Sequence, residues 1–263
     1  MQRPVKTTER SLLTQKAPER LYGKNAVREC LRAQRRHIHR LYLAKGMKPT
    51  PLVQEVIQRA RKLKIPTQEV PRKKLDIWGA SHQGMTLETG RFPTSDIGDI
   101  LKHAEKQNEA PFILALDHLE DPRNVGALLR TAEIVGVHGV ILPDRRSAGI
   151  TPTVVNTSAG ASEHLRVAIV SNLAQTLNTL KKEGLWIVGV EKDPAAQPYH
   201  QVDLNMPLVL TLGSEGKGMT RLIRQTCDLL LQFPMRGHIE SLNASVAGAL
   251  ALYEAWRARQ FSR

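Results

Sequence analysis

The 263-residue sequence predicts an α/β protein, with a three-layer, parallel-sheet domain in its C-terminal part and a small α/β domain before it. Three observations carry this. From residue 111 onward, short apolar runs of strand length alternate with stretches of helical period. Turns rich in Gly, Pro and Asn follow those runs, at the strand ends where open α/β sheets bind ligands. The net charge of +13 is also divided unevenly: residues 1–91 hold 21 Lys+Arg against 7 Asp+Glu, a net +14, and residues 92–263 hold 17 against 18, a net −1. A basic segment joined to a near-neutral one fits a polyanion-binding module attached to a part that does different work.

Residues 1–19 have no hydrophobic periodicity and are expected to form a mobile basic tail. They contain no apolar core of a secretory signal, and Glu9 and Glu19 oppose a transit peptide. No apolar run reaches the length of a membrane span, so a cytoplasmic protein without a membrane partner is expected. The small domain occupies residues 20–91. There LYGKNAVRECLRAQ reads as a helix, IHRLYLA as a strand, TPLVQEVIQRARKLK as an amphipathic helix and IPTQEV as a second strand. A short helix over PRKKLDIW and a strand in HQGMTLETG close the unit. Its basic clusters, at residues 32–40, 59–64 and 72–74, can form one face towards phosphates. With aromatics at 4%, backbone and shape contacts fit such a face better than base stacking.

Residues 92–110, with Pro93 and Pro111 near the ends, read as a linker carrying one helix. The main domain, 111–263, opens on PFILALD, a fully apolar strand suited to a sheet covered on both faces. Helix NVGALLRTAEIVG, strand HGVIL, a small-residue helix near TPTVVNTSAG, strand LRVAIV and helix NLAQTLNTLKKEG follow. Strands LWIVGVE and PLVLTLG, helix MTRLIRQTC, strand DLLLQF and the long helix NASVAGALALYEAWRARQ complete it. This series is expected to fold as a self-contained unit. The two cysteines, Cys30 and Cys227, sit in no CxxC or Cys/His cluster, so reduced, buried thiols and no metal site are expected.

Three segments of the main domain follow predicted strands. In DHLEDPRNVGALLRTAE a turn with Asp121, Pro122 and Asn124 opens a helix, on which Arg130 and Glu133 can pair; a capped helix with a surface ion pair is the plainer reading. In TLGSEGKGM, glycines 213, 216 and 218 allow tight turning and close backbone approach. This loop is neither a P-loop, since Lys217 is followed by Gly218, nor a GxGxxG fingerprint; a structural turn is the alternative. In FPMRGHIESLNASVAGAL, Ser241 or Asn243 can cap the last helix, whose free N–H groups can also hold an anion.

Together NVGALLRTAE, LVLTLGSEGKGM and SLNASVAGALALYEA resemble, in order and spacing, the SpoU/TrmH family of RNA ribose 2′-O-methyltransferases within the SPOUT superfamily. LYGKNAV (21–27) and HQGM (82–85) extend the resemblance, more loosely, into that family's substrate-binding domain. Within the family the chain looks closest to the bacterial enzymes that methylate a guanosine of 23S rRNA; a tRNA substrate, or a non-catalytic RNA-binding homologue, are the other readings. The resemblance implies a deep trefoil knot in the catalytic sheet, which element order could not supply because knots are so rare. It also implies S-adenosyl-L-methionine as methyl donor, with donor contacts at Gly213, Gly216, Phe233, Met235 and Leu242. At the reacting end it implies Asn124, Arg130, Glu215, Ser241 and Asn243. A guanidinium stays protonated, so Arg130 suits a cation holding the adjacent phosphate better than a general base. A phosphate oxygen or Ser241 could then relay the proton, and Glu215 and Asn124 would orient the groups. A homodimer is expected as well. The last helix carries Ala244, Val246, Ala247, Ala249, Leu250 and Leu252, more than one core-facing stripe requires.

Overall fold

A computed structural model describes residues 18–259. The expected basic tail, residues 1–19, lies outside the described residues except for its last two, and Glu19 already belongs to a strand.

The first unit comprises β1 (Glu19–Tyr22), α1 (Lys24–Ala33), β2 (Ile38–Ala44), α2 (Pro51–Lys62), β3 (Thr67–Val70), α3 (Arg72–Asp76) and β4 (Met85–Thr89). Its mixed sheet runs β1-β4-β2-β3, antiparallel except for β2 with β3. Strand β1 corrects the sequence reading, which began a helix at Leu21. Leu21 is fully buried opposite Leu87 of β4, and the helix starts only after the chain turns at Gly23. Four residues with one strongly buried side chain are too few to show a period of two.

Next come α4 (Ile97–Lys106), β5 (Phe112–Leu116), α5 (Pro122–Ile134), β6 (Gly139–Pro143), α6 (Pro152–Thr157), β7 (Val167–Val170) and α7 (Leu173–Lys182). The chain ends with β8 (Trp186–Val190), β9 (Gln197–Pro198), β10 (Leu208–Leu212), α8 (Arg221–Thr226), β11 (Leu229–Gln232) and α9 (Ala244–Ala258). The seven strands form one parallel sheet ordered β7-β6-β5-β10-β8-β11-β9. Alternate residues of β5 enter different cores. Phe112, Leu114 and Leu116 pack with α5 and α9, whereas Ile113 and Ala115 pack with α7 and α8. Both faces are covered, which is why FILAL has no polar position. Strand β9 is two residues long and left no pattern to read.

The 92–110 segment carries one helix, α4, which packs on the main domain: Ile100 and Ala104 are fully buried, and Ile100 belongs to the core on one face of the large sheet. The main domain is also joined to the small one. Val155 of α6 is buried in the core of the small domain. Asn156 Nδ2 donates to the Tyr22 carbonyl at 2.8 Å. The guanidinium of Arg36, without exposed side-chain surface, donates to both carboxylate oxygens of buried Glu163 at 2.8–3.0 Å and to Glu19. The two sheets therefore share a built seam. Both cysteines are free, and burial pushes their thiols up, Cys227 to about 12, so both remain neutral at physiological pH. Among the described residues no helix is long and apolar enough to cross a membrane.

Candidate active site

The strand order places β10 between β5 and β8, and the loops leaving the carboxyl ends of β8, β10 and β11 meet there. They enclose a cleft of about 320 Å³. Gly213, Gly216, Phe233, Met235 and Leu242 all line it, as do Glu215 and Ser241. The five residues expected at the donor thus surround one space, although they lie in two loops some twenty residues apart in sequence.

The glycine loop has its shape for reasons visible residue by residue. Ser214 and Gly218 exchange backbone hydrogen bonds at 3.0 and 2.9 Å, closing a tight turn around Glu215, Gly216 and Lys217. A Cβ on Gly213 would stand 2.1 Å from the Gly218 carbonyl carbon and the Met219 nitrogen, so only glycine fits. Gly218 has φ +66°, and a Cβ there would meet the Glu191 carboxylate at 2.4 Å. That carboxylate accepts from Met219 N at 2.8 Å, and Asp117 accepts from Thr220 N at 2.7 Å. Glu191 and Asp117 were missed in the sequence. Each directly follows an apolar strand, but nothing local says that its partner is a loop 28 or 103 residues away.

A polar cluster stands beside the cleft. Glu215 Oε2 accepts from Asn124 Nδ2 at 3.0 Å and from Asn243 Nδ2 at 3.1 Å; Asn243 Nδ2 also reaches Asn124 Oδ1 at 3.0 Å. Asn243 caps α9 at the same time, accepting from Ser245 N at 2.9 Å and Val246 N at 3.4 Å. The helix cap and the polar cluster therefore meet on one amide. Asn124 is buried at the start of α5, while Ser241 lies exposed at the cleft rim. A second cleft of about 630 Å³ shares Ser214, Glu215 and Gly218 with the first, and Arg146, Lys217 and Arg221 lie along it. Glu215 thus stands between the two.

Arg130 is elsewhere. It lies exposed on α5 and lines a separate cleft with Asn25, Glu29, Glu133 and His164, at the seam with α1. Helix geometry accounts for this: six residues carry it about 9 Å along α5 and roughly 240° around it from Asn124. Among the described residues it makes no ion pair with Glu133, correcting the pairing that their spacing suggested. Nor does any group of three or more His, Cys, Asp and Glu among the described residues lie close enough to hold a metal ion.

Residues 111–253 match the SpoU rRNA Methylase family, and residues 20–94 match the family described as RNA 2′-O ribose methyltransferase substrate binding. A Bacillus subtilis protein, YacO, named for the TrmH family of tRNA/rRNA methyltransferases, is 46% identical over 238 residues, 90% of this chain and 94% of its own. The SpoU methyltransferase AviRb from Streptomyces viridochromogenes, solved in complex with AdoMet, has the same fold. It superposes with a TM-score of 0.78 at 21% identity, over 94% of this chain and 92% of that one. An AdoMet-bound rRNA methyltransferase from Sinorhizobium meliloti gives 0.73 at 22% identity, over 92% and 87%.

Proposed function

The chain belongs to the SpoU rRNA methylase family, and from that premise we propose that it methylates a ribose 2′-hydroxyl in RNA, specifically that of a guanosine in 23S rRNA. The observation that carries the reading is the convergence of the glycine loop and the 233–242 segment on one cleft, which the Asn124–Glu215–Asn243 cluster reaches through Glu215. The residues fit S-adenosylmethionine. A backbone cradle at Gly213 that a Cβ would fill lies beside the apolar side chains of Phe233, Met235 and Leu242, a lining suited to a purine nucleoside. When bound, that donor supplies an electrophilic methyl carbon on its sulfonium.

The chain's own residues then position and deprotonate the acceptor. Displacement requires the ribose oxygen in line with the methyl carbon, so catalysis rests on orientation and on help in losing a proton. Glu215, held by two amide donors, is fixed between the two clefts and orients the acceptor from there. The basic side chains of the second cleft receive the RNA backbone. Ser241, at the rim, relays the proton to solvent or to a phosphate oxygen.

Arg130 takes part only if a second copy of the chain brings it to the cluster. Helix α9 leaves Val246, Leu250 and Tyr253 exposed at i, i+4 and i+7, and α9 packs on α5, which carries Arg130. Burying that stripe against its counterpart forms a homodimer in which Arg130 steadies the phosphate next to the partner's reacting ribose. The test of substrate is methyl transfer from labelled donor to unmodified 23S rRNA and to unmodified tRNA, with the product nucleotide mapped. Label at one guanosine of 23S rRNA is expected. Label on tRNA alone would overturn the substrate assignment.

A further inference from the structure

We propose that a basic pocket on the small N-terminal domain, sharing no residue with the clefts of the active site, seats a phosphodiester of the RNA substrate. This rests on the RNA reading above and adds where the RNA is held. The pocket, about 340 Å³, lies where Lys24 at the start of α1, Lys45 and Lys48 after β2, and Arg72 at the start of α3 come together. No carboxylate lines it. Among the described residues none of these four cations has a salt bridge, because carboxylates of the domain are drawn to other arginines: Glu55 to Arg32 and Arg59, Glu88 to Arg20. Four positive charges gathered without a counter-charge repel one another, and an anion between them relieves this.

The site is stiff. His82, buried behind it, accepts from Gly84 N at 2.8 Å through Nδ1, and its Nε2 lies 2.9 Å from Asp76. Gln83 Oε1 accepts the first helical N–H, that of Lys24, at 3.2 Å. Ala44 N donates to the Gly84 carbonyl and Lys45 N to that of Val70, both at 2.9 Å, so the loop carrying the lysines is tied to β4 and to the end of β3. The two sequence motifs that the active site leaves unused, LYGKNAV and HQGM, thus converge here through Lys24 and the Gln83–Gly84 turn. The lining offers no aromatic ring on which a base could stack, which selects the phosphate rather than the nucleoside.

The experiment compares RNA affinity of the full chain across a salt series for the wild type, a Lys45→Ala/Lys48→Ala pair, and a control pair, Lys102→Ala/Lys106→Ala. The control side chains are exposed as well but lie on α4, outside the pocket and outside the basic clusters of the small domain. The probe is a 23S rRNA transcript; donor binding by calorimetry reports folding. The pocket pair is expected to lose about tenfold in affinity and about one unit of salt slope, whereas the control loses no more than about threefold and keeps its slope. Inorganic phosphate at constant ionic strength should compete with RNA on the wild type and not on the pocket pair. Equal losses in both pairs, or phosphate competition that survives in the pocket pair, overturn the proposal. If the wild type methylates RNA while the pocket pair binds RNA as tightly, only the pocket fails. If the wild type neither binds nor methylates RNA, the functional reading fails and takes the pocket with it.

Discussion

Asn243 does two things with a single side chain, its oxygen capping α9 and its nitrogen holding Glu215 and Asn124, the cluster proposed to orient the acceptor. The two duties separate by substitution. Asn243→Ala removes both, so unfolding stability falls by about 1 kcal/mol and methyl transfer is lost with it. Asn243→Ser keeps a capping oxygen without the amide donor; its thermal unfolding stays near wild type while single-turnover methyl transfer drops about a hundredfold, the scale of a misplaced group. Wild-type turnover in the Ser variant would reduce Asn243 to a cap. Gly213 is a sharper case, because the atoms a Cβ would strike are backbone. Such a forced contact costs about 1–3 kcal/mol, so Gly213→Ala should weaken donor binding in calorimetry by about tenfold or more. Both residues were legible as motif members. So were Glu215 and Asn124, but the bonds that join them to Asn243 were not, since hydrogen bonds spanning 28 to 119 residues leave no local trace.

At the scale of elements, long runs with a clear period were readable. FILAL and VLTL read as buried strands because both faces are covered, and α2, α5 and α7 showed the helical period. Elements with little local signal were not. Strand β1 has four residues, β9 has two, and the burial of α4 depends on the groove it meets. Threading of a knot has no local signature at all, and belongs to the resemblance. The domain seam was also invisible, since it depends on Arg36 in one domain meeting Glu163 in the other, 127 residues apart. Removing one partner leaves a buried charge without its counter-ion, so Arg36→Ala should lower stability by about 3–5 kcal/mol in denaturant unfolding. An Arg36→Met/Glu163→Met pair should recover much of that loss. If Arg36→Ala unfolds like the wild type, the seam does not hold the domains together.

For the whole molecule, the charge asymmetry in the sequence and the placement of the clefts point the same way: a basic domain that grips RNA, fixed against a near-neutral one that binds the donor. Arg130 is where sequence and structure part. The motif puts it with Asn124, and helix geometry turns it away. If it serves the partner's site, co-expressing Arg130→Ala with Glu215→Ala chains yields heterodimers with one intact site, restoring about a quarter of the wild-type rate. Absence of any recovery would return Arg130 to its own subunit or remove it from the reaction. The central claim, transfer of a methyl group to a ribose oxygen by the cleft at β8, β10 and β11, is tested most directly by digesting RNA methylated with labelled donor. A 2′-O-methyl group blocks alkaline cleavage at its own phosphodiester. Label should therefore appear in an alkali-stable dinucleotide, and should vanish with Glu215→Ala although the donor still binds. Label released in mononucleotides, as from a methylated base, or transfer that persists in the Glu215 variant, would contradict it.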